Sequence, residues 1–261
     1  MARYTHYYLI NIEYLGFRFH GWQKQTNAKT IHEMIDKTMV FVLGHENYKT
    51  MGTSRTDAKV SALQSAFELF LFEPISDKEE FLKVLNSNFP FDIKATEVVE
   101  VDNTFNVINS SKEKEYHYYF ASGQKAHPYS SPFVFSHLES LDVDLMKKGA
   151  ELFLGKHNFK GYCTQPKPGV NLVRTITKSE IVENDGLKAN FFPDNMFIYK
   201  VRSAGFMRNQ VRLMMGQLIQ LGLGKIDLEK VKHTIETGER EHSLFATAPA
   251  SGLHLAKIDW A

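Results

Sequence analysis

Apolar and polar positions alternate over His6–Tyr14 (HYYLINIEY), which predicts a β-strand buried on one face or both. The segment that follows, GFRFHGWQKQTNAK, is polar, aromatic and glycine-containing and reads as a loop. At Thr30 the pattern turns helical, with Ile31, Met34, Ile35, Thr38, Met39 and Val42 along one stripe. Thr30-Ile31-His32-Glu33 is a capping box, in which hydroxyl and carboxylate satisfy each other's orphan backbone N–H groups, and Gly44 suits the C-terminal stop. Beyond the loop GTSRTDAKVSA, Gln64–Phe72 reads as a second strand. Ser76–Glu79 repeats the capping pattern before a short helix through Asn86; FPFDIKATEVVEV ends in a strand and EYHYYFASG is another.

The second half repeats the type of pattern without repeating the sequence. Asp142 caps a predicted helix to Leu154, and Leu172–Glu183 and Asn195–Val201 read as strands joined by a polar turn at Asn184-Asp185-Gly186. Phe206–Leu221 reads as a long helix with Phe206, Gln210, Leu213, Met214, Gln217, Leu218 and Leu221 along one side. Val231–Glu236 lies in a further helix, and Gly252–Ile258 is a closing strand. This order predicts an α+β fold and resembles the split βαβ arrangement of ferredoxin-like folds. The expectation is two such halves, 1–105 and 106–261, with the boundary in Asn103–Lys112 and no flexible linker. They would form one extended, mainly antiparallel mixed sheet with helices on one face.

Composition narrows the function only modestly. The 261 residues are 43% hydrophobic and 23% charged, which excludes a disordered or fibrous chain. A net charge of +1 is low for a nucleic-acid-binding domain, so any phosphate-binding surface must come from local clustering. Cys163 is the single cysteine, which excludes an intramolecular disulfide and a Cys-rich zinc site. Its spacing from His157 fits no protease signature, so it reads as an inert residue. No apolar run approaches a membrane span and the N-terminus lacks a signal-peptide core, so a cytoplasmic location is expected. Gly222-Leu223-Gly224-Lys225 lacks P-loop spacing and reads as a helix end.

Chemistry concentrates in Gly52-Thr53-Ser54-Arg55-Thr56-Asp57-Ala58. Arg55 and Asp57, two apart on an extended backbone, point to the same side, and a nearby cation keeps a carboxylate ionised for use as nucleophile or base. The same residues also suit a plain turn with a surface ion pair.

GTSRTDAKVSA resembles the pattern G-x-G-R-T-D-A-G-V-H-A of the TruA-like tRNA pseudouridine synthases. Seven further runs resemble that family's motifs in order: YLGFRFHGWQKQTNAKTI, LNSNFPFDIKA, KEYHYYF, GKHNFKGYC, VRTI, GFMRNQVRLMMG and APASGLHL. The resemblance implies isomerisation of uridine in the anticodon stem-loop of tRNA, in a cleft between the halves of a homodimer's subunits. It implies no metal and no cofactor, because the base is cut from C1′, rotated and rejoined through carbon. By position, Asp57 matches the essential carboxylate and Arg55 the residue that fills the space of the flipped nucleotide. Tyr116 matches the tyrosine that stacks on the base, and Arg212 the arginine that holds the carboxylate charged. Flipping exposes a base otherwise stacked in a stem, and an aromatic face then holds it.

Arg18, His20, Trp22, Lys24 and Lys29 in one segment, and Arg202, Arg208 and Arg212 in another, form a candidate phosphate track; singly, each charge reads as a solvated face. Arg18, Lys24 and Arg208 are taken as substrate contacts with Arg55 and Tyr116. The chain departs from the family pattern at Leu15, Lys59 and Ser61, and Phe105-Asn106-Val107-Ile108 stands where F-H-A-R is expected. Asp57, Arg55, Tyr116 and Arg212 are kept, which favours an active enzyme over the alternative of an inactive or retargeted tRNA-binding relative.

Overall fold

The computed structural model describes residues 4–166, 168–240 and 246–260. The chain divides into two compact units, Met1–Lys112 with Leu255–Ala261, and Glu113–His254. The described residues hold ten strands and five α-helices, in the α+β arrangement that the patterning predicts.

In the first unit β1 (His6–Tyr14) pairs antiparallel with both β3 (Ser61–Leu71) and β4 (Ile93–Val101). Registers such as Tyr8↔Leu69 and Ile10↔Phe67 bring buried residues side by side, and an irregularity between Ile12 and Tyr14 re-aims Tyr14. β2 (Lys49–Gly52) and β10 (Leu253–Trp260) lie along the edge of β3 away from β1. α1 (Ile31–Leu43) starts at Thr30, whose Oγ1 accepts from Glu33 N, and ends at Gly44 in the left-handed region (φ 71°). α2 (Lys78–Asn88) is capped by Asp77 and not by Ser76, because the Asp77 carboxylate accepts from both Glu79 N and Glu80 N. Leu9, Ala66 and Val107 centre an apolar cluster completed by Phe105 and Trp260.

In the second unit β5 (Ser111–Ser122) pairs antiparallel with β9 (Met196–Ser203), β9 with β8 (Val173–Glu183), and β8 with β7 (Gly155–Asn158). β6 (Phe135–His137) pairs parallel with β5. α3 (Val143–Glu151) packs on β8 and on α4 (Gln210–Gly222), and α5 (Leu228–Thr237) lies by β7. α4 starts four residues later than its apolar pattern predicts. Asn209 sits in the left-handed region (φ 61°) and breaks the helix there, and Phe206 turns aside to meet another ring. At its far end Gly224 (φ 67°) closes the helix as expected.

Candidate active site

The loop carrying Asp57 has no regular structure of its own, so its shape comes from what grips it. Trp22 N donates to Thr56 O (3.0 Å), Lys59 N to Phe19 O (3.0 Å), and Val60 N to Asp57 O (3.2 Å). Tyr14 Oη and Thr56 Oγ1 form a buried hydrogen bond of 2.8 Å, and burial pushes the Tyr14 phenol well above its usual range. The approach is too close for side chains at two glycines. A Cβ on Gly52 would lie 2.1 Å from the Trp22 indole, and one on Gly21 (φ 92°) would lie 2.7 Å from Thr56 O. The aromatic loop after β1 is thus a clamp on the Asp57 loop. Asp57 is half-buried and Arg55 is exposed.

Two of the expected phosphate contacts of this unit are engaged with acids. Arg18 pairs with Asp92 (2.7 Å), and Lys24 with Asp36, which also accepts from Thr50 Oγ1. Lys29 lies over the Phe19 ring at 5.2 Å. The departures from the family pattern have structural uses. Lys59 takes a left-handed backbone (φ 67°) where the pattern has glycine, with Nζ 5.8 Å from the Phe17 ring centroid. Ser61 Oγ accepts from Gly16 N (2.9 Å). Asn106 Oδ1 accepts from Ile108 N and Asn109 N, and buried Val107 donates its N–H to Glu68 Oε2 (3.0 Å). Burial raises the Glu68 carboxyl above its ordinary value.

In the second unit Tyr116 on β5 meets Phe206 edge-on, with ring centroids 5.2 Å apart at 90°. Arg212, in the first turn of α4, donates from Nε to Ala248 O (2.8 Å) and from Nη1 to Asn209 Oδ1 (3.1 Å). Ala248 N donates to the main-chain O of Arg212 (3.0 Å), so the backbone of Arg212 as well as its guanidinium is tied to Ala248. Arg208 donates to Gln165 Oε1 (2.9 Å), and Arg202 pairs with Glu113 (2.7 Å). Burial raises the Cys163 thiol, and the His157 Nε2 is engaged with Leu154 O, neither of which suits a nucleophile and its base.

Each unit therefore gathers part of the expected set: Asp57 and Arg55 on one gripped loop, and Tyr116 and Arg212 on elements joined through Phe206 and Asn209. Sequence reading missed the supports Tyr14, Thr56, Trp22, Phe206 and Asn209. The glycine beside Trp22 was the one signal that pointed to a close backbone approach.

Residues 150–260 match the family model described as tRNA pseudouridine synthase. The chain is 33% identical over 250 residues to tRNA pseudouridine synthase A of Staphylococcus aureus (strain JH1), covering 96% of this chain and 89% of that protein. It is 32% identical over 247 residues to tRNA pseudouridine synthase A of Acetivibrio thermocellus, covering 95% and 96% respectively. A solved chain from a Cbf5-Nop10-Gar1 complex is similar over 80% of this chain and 46% of its own, at 15% identity and a TM-score of 0.33, too remote to bear on the fold. The chain belongs to the tRNA pseudouridine synthase family, whose members are isomerases of the TruA type.

Proposed function

We propose that this isomerase converts uridine to pseudouridine in the anticodon stem-loop of tRNA, with Asp57 as the essential carboxylate. The observation that carries the reading is the clamped loop: Trp22, Phe19 and Tyr14 hold the backbone around Asp57, as a positioned catalytic group requires. Arg55, exposed on the same loop, takes the place of the flipped nucleotide. Tyr116, set by Phe206, supplies the aromatic face for the base, and Arg212 supplies a fixed positive charge. The N1–C1′ bond breaks and a C5–C1′ bond forms. The C5 proton leaves as N1 gains one, so the change is an isomerisation with no redox step. Arg18, Lys24 and Arg208 remain the proposed substrate contacts; the first two would exchange a carboxylate partner for phosphate. Assembly as a homodimer and a cytoplasmic location belong to the same reading; they are supported by the resemblance to the family and by the single cysteine. Among the described residues no helix is long and apolar enough to cross a membrane.

The test is pseudouridine mapping on tRNA incubated with wild-type protein and with Asp57→Ala. Wild type is expected to form pseudouridine in the anticodon arm, and the variant to lose at least ~10³-fold in rate while keeping its fold. Product formed equally by both proteins, or by neither on any tRNA, would reject the reading.

A further inference from the structure

His32, Thr50 and Asp36 lie next to the clamp on the Asp57 loop and have no part in the function as stated so far. We propose that His32 is a positioning residue: held by Thr50 and Asp36, it fixes the Trp22 indole and, through it, the backbone around Asp57. This role rests on the function proposed above and deepens it, because it accounts for what keeps the carboxylate in place.

Trp22 links the strand that enters the loop to the loop itself. Gly52, the last residue of β2, lies so close that a Cβ there would run into the indole, and Trp22 N donates to Thr56 O (3.0 Å), one residue before Asp57. Two rings border the indole: Tyr14, with its centroid 6.1 Å away, and His32, 5.9 Å away and within 30° of parallel. His32 also reaches Trp22 through the main chain. The first amides of α1 find no partner inside the helix, and Ile31 N and His32 N donate instead to Gly21 O (3.1 Å) and Trp22 O (3.1 Å). A shift of His32 is therefore felt by both the ring and the backbone of Trp22.

What holds His32 is a directed chain of hydrogen bonds. Thr50 Oγ1 gives its only proton to Asp36 Oδ1, so toward His32 it can only accept, and the imidazole donates Nε2–H to it (2.9 Å). The chain thus sets both the tautomer and the direction of the ring. Burial lowers the imidazole pKa against the pull of Asp36, so the ring stacks on the indole uncharged near neutral pH. Asp36 is itself fixed: Lys24 pairs with Oδ2, and Tyr48 Oη donates to its main-chain O (2.8 Å). These bonds join α1 to β2. Packing does not enclose the ring, since a recess of about 440 Å³ between α1 and β2 borders it and its side chain is 20% exposed. On that side hydrogen bonds, and not neighbouring atoms, decide where the ring lies.

The experiment measures kcat and KM for pseudouridine formation in tRNA, with thermal unfolding, for wild type, His32→Leu, His32→Gln, Thr50→Val and Thr50→Ser. Lys37→Gln is the control, since Lys37 lies on the same helix but pairs with Glu33 (2.7 Å). His32→Leu and Thr50→Val remove the hydrogen bond and keep the bulk; they are expected to lower kcat by about 10- to 100-fold with KM within about twofold of wild type. The glutamine amide and the serine hydroxyl can remake the bond, so His32→Gln and Thr50→Ser are expected to keep kcat within about threefold of wild type. Should His32→Leu not fold, the isosteric Thr50→Val carries the test. An active wild type with kcat unchanged in the apolar variants, a rise in KM alone, or no rescue by either conservative variant would overturn the role of His32 and leave the proposed function standing. Acrylamide quenching of Trp22 fluorescence is read on the same variants in a Trp260→Phe background, which leaves Trp22 as the single tryptophan. If wild type forms no pseudouridine on any tRNA, the proposed function fails and quenching decides whether His32 fixes the indole. Greater quenching in the two apolar variants alone upholds that; equal quenching in all of them overturns it.

Discussion

The loop around Asp57 and the start of α4 around Arg212 hold candidate site residues by opposite means. The first is an irregular segment fixed from outside, by backbone bonds from Phe19 and Trp22 and by glycines that let an indole and a carbonyl come close. The second stands on a helix and is fixed by hydrogen bonds to Ala248 and Asn209; further along the same helix, buried Gln217 is hydrogen-bonded to Tyr162 and Thr234. The difference teaches where each is fragile. A loop held by shape fails when volume changes. A region held by buried polar groups fails when a hydrogen bond or a proton is misplaced.

The sharpest way to break the comparison is Trp22→Ala. Trp22 is 3% exposed and is part of the clamp, so its loss should cost about 3–5 kcal/mol of stability, read as a fall in denaturant midpoint. The same truncation at an exposed aromatic such as Tyr129 should cost far less. A comparable cost for both would show that volume does not matter at the clamp.

The second unit should answer to pH. His254 is fully buried, its ring engaged with Phe133 O, and burial lowers its pKa from 6.5 to about 4. Between those values the unfolded chain binds the proton and the folded chain does not, so stability falls as pH drops from about 6.5 to about 4 and levels off below. The full loss is about 3 kcal/mol, and His254→Gln should remove it from unfolding curves taken at pH 7 and pH 4.5. An unchanged pH dependence in the variant would mean that other groups carry it.

The smallest effect has the opposite sign. Lys59 holds a left-handed backbone that glycine adopts freely, so Lys59→Gly should stabilise by about 0.5–1 kcal/mol, less the weak contribution of its cation to the Phe17 ring. A loss of stability would show that this contact outweighs the backbone strain.

Much of the fold was legible along the chain because its signals are local. The alternation of β1, the capping box at Thr30 and the stop at Gly44 each depend on neighbours within a few residues. The misreadings occurred where a side chain had two uses. Phe206 continues the apolar period of α4, yet it leaves the helix to pack on Tyr116, and only the pairing of β5 and β9 brings that ring near. Ser76 and Asp77 both offer a cap, and the choice falls to the carboxylate that reaches two amides. Motif order pointed to Asp57, Arg55, Tyr116 and Arg212 as candidate site residues. It gave no sign of the clamp, because Tyr14 and Thr56 lie tens of residues apart and meet only after folding.

One feature of the chain's path bears on its synthesis. Leu255–Ala261 belongs to the same compact unit as Met1–Lys112, with β10 beside β3, Ile258 N bonded to Gln64 Oε1 (3.2 Å) and Trp260 against Phe105. The ribosome makes that strand after all the rest of its unit. The unit from Glu113 to His254 lies between the two segments of the other unit and is therefore entirely synthesised before β10 is available. Until then the flank of β3 that receives β10 stands open during translation. A chain lacking β10 would keep that flank of β3 open, an unpaired edge of the kind that invites aggregation.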